Sequence, residues 1–140
     1  MNELLILGLL HNNELHGYQL KQIADRLTYG FYKISYSTLY PKFKKLENNL
    51  YIKSKTIITE GGQERVYYQI TENGKDYFIV LMETLQAKFF KDSWDIFKIK
   101  MLFFNLIGHE QQKLIIKKIK YEAGKCINCC CRKIFENSSF

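Results

Sequence analysis

The sequence lacks the features that would place it in a membrane or an oxidising compartment. Its four cysteines all fall within Cys126–Cys131, whereas secreted disulfide folds spread cysteines along the chain, so we interpret these thiols as reduced. The start, MNELLILGLL, has an acid where a signal peptide needs basic residues. Later apolar runs such as Met101–Phe104 are far below the roughly 20 residues that span a bilayer. We therefore expect a soluble, cytoplasmic protein with no membrane partner.

Signatures of catalysis and cofactor binding are missing as well. The sequence has no Ser-His-Asp order, no phosphate-cradling glycine loop and no dinucleotide fingerprint. His11, His16 and His109 are scattered, and none has a carboxylate or cysteine at a spacing typical of a ligand set. We interpret all three as structural or exposed, and we predict neither an enzyme nor a cofactor.

Acidic residues are scarce in one stretch of an otherwise mixed chain. The net charge is +7. Lys33–Lys55 contains six lysines against the single acid Glu47, a local excess of five positive charges, whereas acids and bases balance over Gly61–Lys100. A localised excess is compatible with a polyanionic partner.

The N-terminal third predicts two helices. Leu4–Leu10 is an apolar block suited to a first helix, and a loop is expected at His11–Glu14. A second helix is predicted by apolar residues at near-helical spacing, namely Leu15, Leu20, Ile23 and Leu27. Gly17 would let this helix start close against a neighbour.

A third helix is predicted within ISYSTLYPKFKKLENNLYI. One apolar face is formed by residues at i, i+4, i+7 and i+11, namely Leu39, Phe43, Leu46 and Leu50. Ser35 or Ser37 is suited to the N-cap, and Pro41 is expected in or near the first turn. Asn48-Asn49 suits the helix end, because asparagine accepts the left-handed conformation used there.

The pattern then changes to that of strands. Two stretches rich in β-branched and aromatic residues, YIKSKTIIT and RVYYQIT, lie on either side of the glycine-containing segment EGGQE. This order predicts a β-hairpin with a mobile tip. From Thr71 a long amphipathic helix is expected to reach Phe89, with a break near Lys91–Ser93 and a further apolar helical segment from Trp94 to about Ile119. Three helices followed by a hairpin is the winged-helix order. The fold prediction is mainly α with a small β-hairpin.

The third helix is the candidate DNA reader. Hydroxyls at a helix start can bind phosphate, and lysines further along can contact neighbouring phosphates. The predicted tip is Ser35, Tyr36, Ser37 and Thr38, and the predicted clamp is Tyr40, Lys42, Lys44 and Lys45. Taken alone, a helix with lysines on one face and hydroxyls at its start is more often an ordinary solvent-exposed helix with an N-cap than a DNA-binding one. The hairpin, the local charge and the element order favour nucleic-acid binding.

Several pieces of the sequence resemble the PadR family of bacterial transcriptional regulators. They are LLILGLL with HGYQL, ISYSTLYPKFKKLENNLYI and ERVYYQITENGKDYF, in the family's order over about the first 80 residues. The resemblance implies a dimeric winged-helix repressor with Tyr18 and Lys21 near the DNA backbone and Arg65 on the wing. It also implies that Ser37, Thr38, Tyr40 and Lys44 lie in the major groove. The family usually has glycine where this chain has Asn49, and often a basic residue at the wing tip.

The C-terminal part carries two further hypotheses. DIFKIKMLFFNLIGHEQQKLIIKKI resembles the C-terminal helical region of longer PadR proteins, which implies dimerisation and a pocket for a small aromatic effector. That pocket would be lined by Phe89, Phe90, Trp94 and Phe97, although ordinary core or dimer contacts are the more common role of such residues.

The second hypothesis concerns the cysteine cluster near the C-terminus. The thiols that would share a helix face are those of Cys126, Cys129 and Cys130, and they could bind a soft metal or sense oxidants. The alternative is that these cysteines are small apolar residues of a helix, and no metal is predicted.

Together these observations predict a winged helix-turn-helix DNA-binding domain at 1–74 and a C-terminal dimerisation and effector region at 75–140. The predicted function is a sequence-specific, homodimeric transcriptional repressor. It would bind a pseudo-palindromic operator in double-stranded DNA and be released by a small-molecule or stress signal. The alternatives are a thiol- or metal-responsive regulator using Cys126–Cys131, and a winged-helix protein-interaction module without DNA binding.

Overall fold

The computed structural model describes residues 1–84 and 94–136, apart from the side chains of Trp94, 122–123 and 125–136. The helices are α1 (Asn2–Leu10), α2 (Gly17–Leu27), α3 (Tyr36–Asn48), α4 (Glu72–Glu83), α5 (Trp94–Leu102) and α6 (His109–Glu136). The strands are β1 (Leu15–His16), β2 (Ile52–Ile58) and β3 (Glu64–Ile70). The predicted mainly α fold with a small β-hairpin is confirmed.

A three-stranded antiparallel sheet lies beside α1, α2 and α3. The strand order is β1-β3-β2, with Leu15 opposite Tyr68 and Ile52 opposite Ile70. The hairpin is as predicted, but Leu15 lies in a strand and not, as predicted, at the start of the second helix. A two-residue strand has no periodicity of its own, so only its pairing with β3 reveals it.

The central helix of the fold is α1. All seven residues from Leu4 to Leu10 are buried, because the other elements surround this helix on every side. Apolar residues from α2, α3, β3, α4, α5 and α6 complete one core, including Leu20, Leu39, Phe43, Leu46, Tyr68, Ile70, Phe78, Met82, Ile99 and Ile115. Within the described ranges, no helix has both the length and the hydropathy of a membrane span.

The end of α4 differs from the sequence prediction. The helix ends at Glu83, with Thr84 in an extended conformation, six residues before the predicted Phe89. Lysines from two later helices occupy its last carbonyls: Lys100 donates to Met82 and Thr84, and Lys118 donates to Glu83 at 3.2 Å. Such donors satisfy the carbonyls that a helix end leaves unpaired. The predicted break at Lys91–Ser93 lies outside the described residues.

The segment predicted as one helix from Trp94 to Ile119 is two helices. A 3₁₀ turn at Phe104–Leu106 separates α5 from α6, and Gln112 donates to the carbonyls of Phe104 and Ile107 in that turn. Of the apolar run Met101–Phe104, only Phe103 is fully buried.

The end of α3 also differs from the prediction. Asn49 has φ −86°, and the left-handed residue is Leu50, with φ 59°. Leu50 therefore leaves the apolar face on which it was predicted and is 67% exposed. The N–H of Tyr51 reaches back to the carbonyl of Leu46 at 2.9 Å, the bond of a Schellman helix end.

Candidate nucleic-acid interface

The start of α3 presents three clustered hydroxyls. Ser35 is the N-cap and accepts from the backbone N–H of Thr38 at 3.3 Å, which confirms one of the two predicted caps. Its Oγ lies 2.8 Å from that of Ser37 and 2.9 Å from Oγ1 of Thr38. Hydroxyls can rotate between donating and accepting, so this cluster can turn its hydrogens toward an anion at the positive end of the helix.

The outer face of α3 is exposed along its length. Leu39, Phe43 and Leu46 are buried, and the side chains that point away from them include Tyr36, Ser37, Tyr40 and Lys44. The rings of Tyr36 and Tyr40 stack at 6.3 Å. Within the described ranges Lys44 has no ion-pair partner, so its charge is available to another molecule.

Pro41 lies one turn further into α3 than predicted. It is the sixth residue of the helix, where a proline removes a hydrogen bond. It cannot donate to the carbonyl of Ser37, the residue four positions before it. The sequence therefore leaves a backbone acceptor next to the hydroxyl cluster.

The start of α2 lies close to this face. His16 caps α2: its Nδ1 accepts from the N–H of Gln19 at 3.4 Å, and the amide oxygen of Gln19 accepts from the N–H of His16 at 3.3 Å. Burial and nearby Arg65 lower the pKa of His16, consistent with a neutral, accepting ring. A Cβ at Gly17 would lie 3.2 Å from the Tyr40 hydroxyl, so glycine permits the predicted close approach.

The two predicted backbone contacts on α2 are on the surface. Tyr18 is 56% exposed. The Nζ of Lys21 lies 2.6 Å from Asp25 and 5.6 Å from the centre of the Tyr36 ring. The hydrogen bond to Asp25 raises the pKa of Lys21, so this side chain remains a cation next to α3.

The wing is the hairpin formed by β2 and β3, and it borders the surface formed by α2 and α3. Residues 53–58 of β2 are all exposed, so the outer part of the hairpin projects from the body. A groove of about 630 Å³ separates the wing from α2 and α3; it is lined by His16, Gly17, Tyr18, Gln19, Gln22, Tyr40, Gln63, Glu64, Arg65, Val66 and Tyr68. The predicted wing residue Arg65 thus shares a groove with Tyr18 and Tyr40.

Two residues of the predicted clamp point elsewhere. The Nζ atoms of Lys45 and Lys42 lie 2.9 Å and 3.5 Å from the same oxygen of Glu3 on α1. They occupy the flank of α3 that faces α1, not the face that carries Tyr40 and Lys44. Glu3 lies about 40 positions from these lysines in the chain, so helical periodicity could not identify it as their partner.

Most of the side chains singled out in the C-terminal predictions lie outside the described part of the chain. Phe89 and Phe90 lie outside the described residues, as do the side chains of Trp94 and Cys126–Cys131. Phe97 is half-buried on α5. Among the described residues, no cluster of three His, Cys, Asp or Glu could hold a metal ion.

Comparison with known proteins identifies the family. Residues 6–79, just over half of the chain, match the profile of the transcriptional regulator PadR-like family. The chain belongs to the PadR-like family of transcriptional regulators. It is similar to the negative transcriptional regulator PadR of Bacillus subtilis, with 34% identity over 70 residues, which are 50% of this chain and 38% of that protein.

Solved structures support the same family fold. A transcriptional regulator from Clostridium thermocellum is 37% identical, with a TM-score of 0.51 over 54% of this chain and 73% of that one. Bacillus subtilis PadR in complex with operator DNA matches with a TM-score of 0.59 over 99% of this chain and 78% of that one, at 24% identity. At that identity the second match concerns the fold, and it extends over the C-terminal helices as well as the PadR-like region.

Proposed function

We propose that this PadR-like chain is a sequence-specific DNA-binding transcriptional regulator that acts as a homodimeric repressor. The observation that carries the proposal is the exposed face of α3, whose hydroxyl cluster, stacked tyrosines and unpaired Lys44 lie beside the groove leading to the wing. That arrangement suits a helix in the major groove flanked by a hairpin on the backbone. The B. subtilis protein with the same fold was solved on operator DNA.

Each contact has a chemical role in the proposal. Ser35, Tyr36, Ser37, Thr38 and Tyr40 approach base edges and nearby phosphates, and Lys44 contacts a phosphate. Tyr18, Lys21 and Arg65 contact the flanking backbone. Lys42 and Lys45 are left out of this set because Glu3 holds them. Arginine and asparagine, the usual base readers, are absent from the front of α3, so DNA shape contributes to selectivity.

The second part of the proposal is a symmetric dimer built by the C-terminal helices. Met101 and Leu102 on α5, and Leu114 and Ile116 on α6, are each about 40% exposed. Apolar side chains of this kind can be buried against a second copy of the chain. A twofold dimer would place its recognition helices roughly 34 Å apart, one DNA turn. Light scattering should then give twice the chain mass of 16.7 kDa.

The third part of the proposal is release from DNA by a small aromatic effector. Of the residues predicted to line its pocket, Phe97 is the one whose side chain lies in the described part of the chain. An effector must bind the DNA-competent and DNA-incompetent states unequally to act. Phenolic and other aromatic compounds can be screened for release of bound DNA. Phe97→Ala should abolish that release while leaving DNA affinity unchanged.

Fluorescence anisotropy tests DNA binding directly. Duplex DNA from upstream of the protein's own gene is compared with a scrambled duplex over a salt series. We expect binding to the upstream duplex on the order of 10³-fold tighter than the roughly 10⁻⁴–10⁻⁶ M typical of non-specific binding. Lys44→Met should weaken both interactions, whereas Lys117→Met, which removes an exposed charge from α6, should not. Equal, weak binding to both duplexes, unaffected by Lys44→Met, would contradict the proposal and favour a protein-interaction module.

A further inference from the structure

Glu3 connects three helices through one carboxylate. Its Oε1 accepts from Lys45 at 2.9 Å and lies 3.5 Å from the Nζ of Lys42, while its Oε2 accepts from the hydroxyl of Tyr77 on α4 at 2.9 Å. The Glu3 side chain is only 15% exposed. Tyr77 on α4 thus binds one oxygen of the Glu3 carboxylate, and the other carboxylate oxygen faces the lysines of α3.

The contrast between neighbouring lysines of α3 is the informative feature. Lys42, Lys44 and Lys45 lie within one turn of the same helix, yet Glu3 pairs with the first and third and not with Lys44. The side chains of Lys42 and Lys45 are still 35% and 58% exposed. Long lysine side chains at that exposure can swing toward a nearby phosphate once nothing holds them.

The charge state of Glu3 supports its pairing with the two lysines. Burial by itself would raise the pKa of Glu3, but the hydrogen bonds from Lys45 and Tyr77, together with the positive charges of Lys45 and Lys42, outweigh it and hold the pKa below its usual value. The carboxylate is therefore ionised at neutral pH. Because it is largely shielded from water, salt screens its attraction for the lysines less than it screens an exposed pair.

We propose that Glu3 is a specificity-determining residue, which withholds Lys42 and Lys45 from DNA phosphates and thereby limits sequence-independent binding. The inference rests on the proposed function. Phosphate contacts strengthen binding to every sequence alike, whereas base contacts separate one sequence from another. An internal acid that competes for two cations therefore lowers the non-specific affinity and leaves the tyrosine and hydroxyl face of α3 to decide where the protein binds.

The salt dependence of binding to the scrambled duplex measures the number of phosphate contacts. Each contact adds about 0.9 to the slope of log affinity against log salt concentration. Glu3→Gln retains the size of the side chain and an acceptor for Tyr77 but releases the lysines. We expect its slope to steepen by about one to two, with tighter binding to the scrambled duplex and a smaller ratio between upstream and scrambled affinities.

A cycle of variants separates this effect from a change in folding. Lys42→Met/Lys45→Met in the wild-type background should leave the slope nearly unchanged, while Lys44→Met, their matched neighbour, should reduce it by about one. Adding Lys42→Met/Lys45→Met to Glu3→Gln should remove the gain. An unchanged slope in Glu3→Gln, or a Lys42→Met/Lys45→Met double variant that loses slope as Lys44→Met does, would overturn the inference. A wild-type chain that binds neither duplex would instead overturn the proposed function.

Discussion

The ring of Phe103 lies directly on the backbone of Gly8. A Cβ at Gly8 would come within 2.6 Å of two ring carbons, closer than real side-chain carbons approach one another. The same ring meets Phe78 edge-on, with centroids 6.1 Å apart. This contact fixes the end of α5 against α1, the helix on which the proposed DNA-binding elements are assembled. Helix α1 and the residue that follows α5 therefore belong to one core.

The first prediction concerns this contact. Gly8→Ala should destabilise the fold by about 1–3 kcal/mol, the usual cost of overpacking a core, because a buried aromatic ring on a packed element has little room to move. Urea unfolding followed by circular dichroism measures the change. Gly61→Ala is the matched control, since a Cβ there meets no atom within 4 Å. Equal stability of the two variants would show that Phe103 shifts freely.

The second prediction concerns the strained end of α3. Leu50 has φ 59° and an exposed side chain, so it bears the cost of the left-handed conformation without much burial in return. Leu50→Gly should stabilise the protein by about 1 kcal/mol, measured as a higher urea midpoint. Leu50→Ala removes the same side chain but keeps the strain, and it should give no gain. If alanine stabilises as much as glycine, the effect comes from the lost leucine and not from the backbone.

What could be predicted from the sequence depended on local patterns. The spacing of Leu39, Phe43 and Leu46 located the buried side of α3. The hydroxyls at its start indicated Ser35 or Ser37 as the cap, and Ser35 is the cap in the structure. The hairpin followed from residue type and the glycine pair at its tip. Each of these signals involves residues within a few positions of one another, where helix and strand periodicity applies.

The features that were missed depend on partners distant in the chain. Strand β1 exists because it pairs with β3, some 50 positions later. The early end of α4 is stabilised by Lys100 and Lys118, and neither lysine lies in a pattern that indicates its acceptor. For the same reason the pairing of Lys42 and Lys45 with Glu3 was not predicted: as charged residues on a helix, these lysines are indistinguishable in sequence from Lys44.

The third prediction uses the alkaline titration of Tyr77. Burial and the hydrogen bond to Glu3 raise its pKa to about 12 from the usual 10. The folded state therefore retains a proton that the unfolded state loses, so the stabilising contribution is complete below pH 10 and is lost as the pH rises toward 12.

Tyr77→Phe tests this reasoning. At neutral pH it should cost about 1 kcal/mol, a typical net value for one hydrogen bond, and its difference from wild type should shrink between pH 10 and 12. Urea unfolding at several pH values gives the comparison. Tyr51→Phe is the control, because Tyr51 stacks on Tyr77 at 4.2 Å and its variant leaves the Glu3 bond in place. A cost for Tyr77→Phe that does not change with pH would show that the pKa of Tyr77 is not raised in the folded protein.

The fourth prediction concerns Lys100, whose side chain is buried among α4, α5 and α6. Burial, with a smaller contribution from the charge of Lys118, lowers its pKa to about 8 from 10.5. Between these values the unfolded chain binds more protons than the folded one, so stability rises with pH across this window. The contribution is lost as the pH falls toward 8 and stays lost below it. A shift of this size corresponds to about 3 kcal/mol at most.

Lys100→Met should remove that rise, because methionine fills a similar volume without a titrating group. Unfolding free energies at pH 7.5, 8.5 and 9.5 cover the part of the window that precedes the titration of Tyr77, which has the opposite sign. Lys117→Met removes a charge from the exposed side of α6 and should retain the wild-type rise. If the rise persists in Lys100→Met, the ammonium group is not what makes the folded state sensitive to pH. The role of Lys100 would then be limited to donating hydrogen bonds to the carbonyls of Met82 and Thr84 at the end of α4.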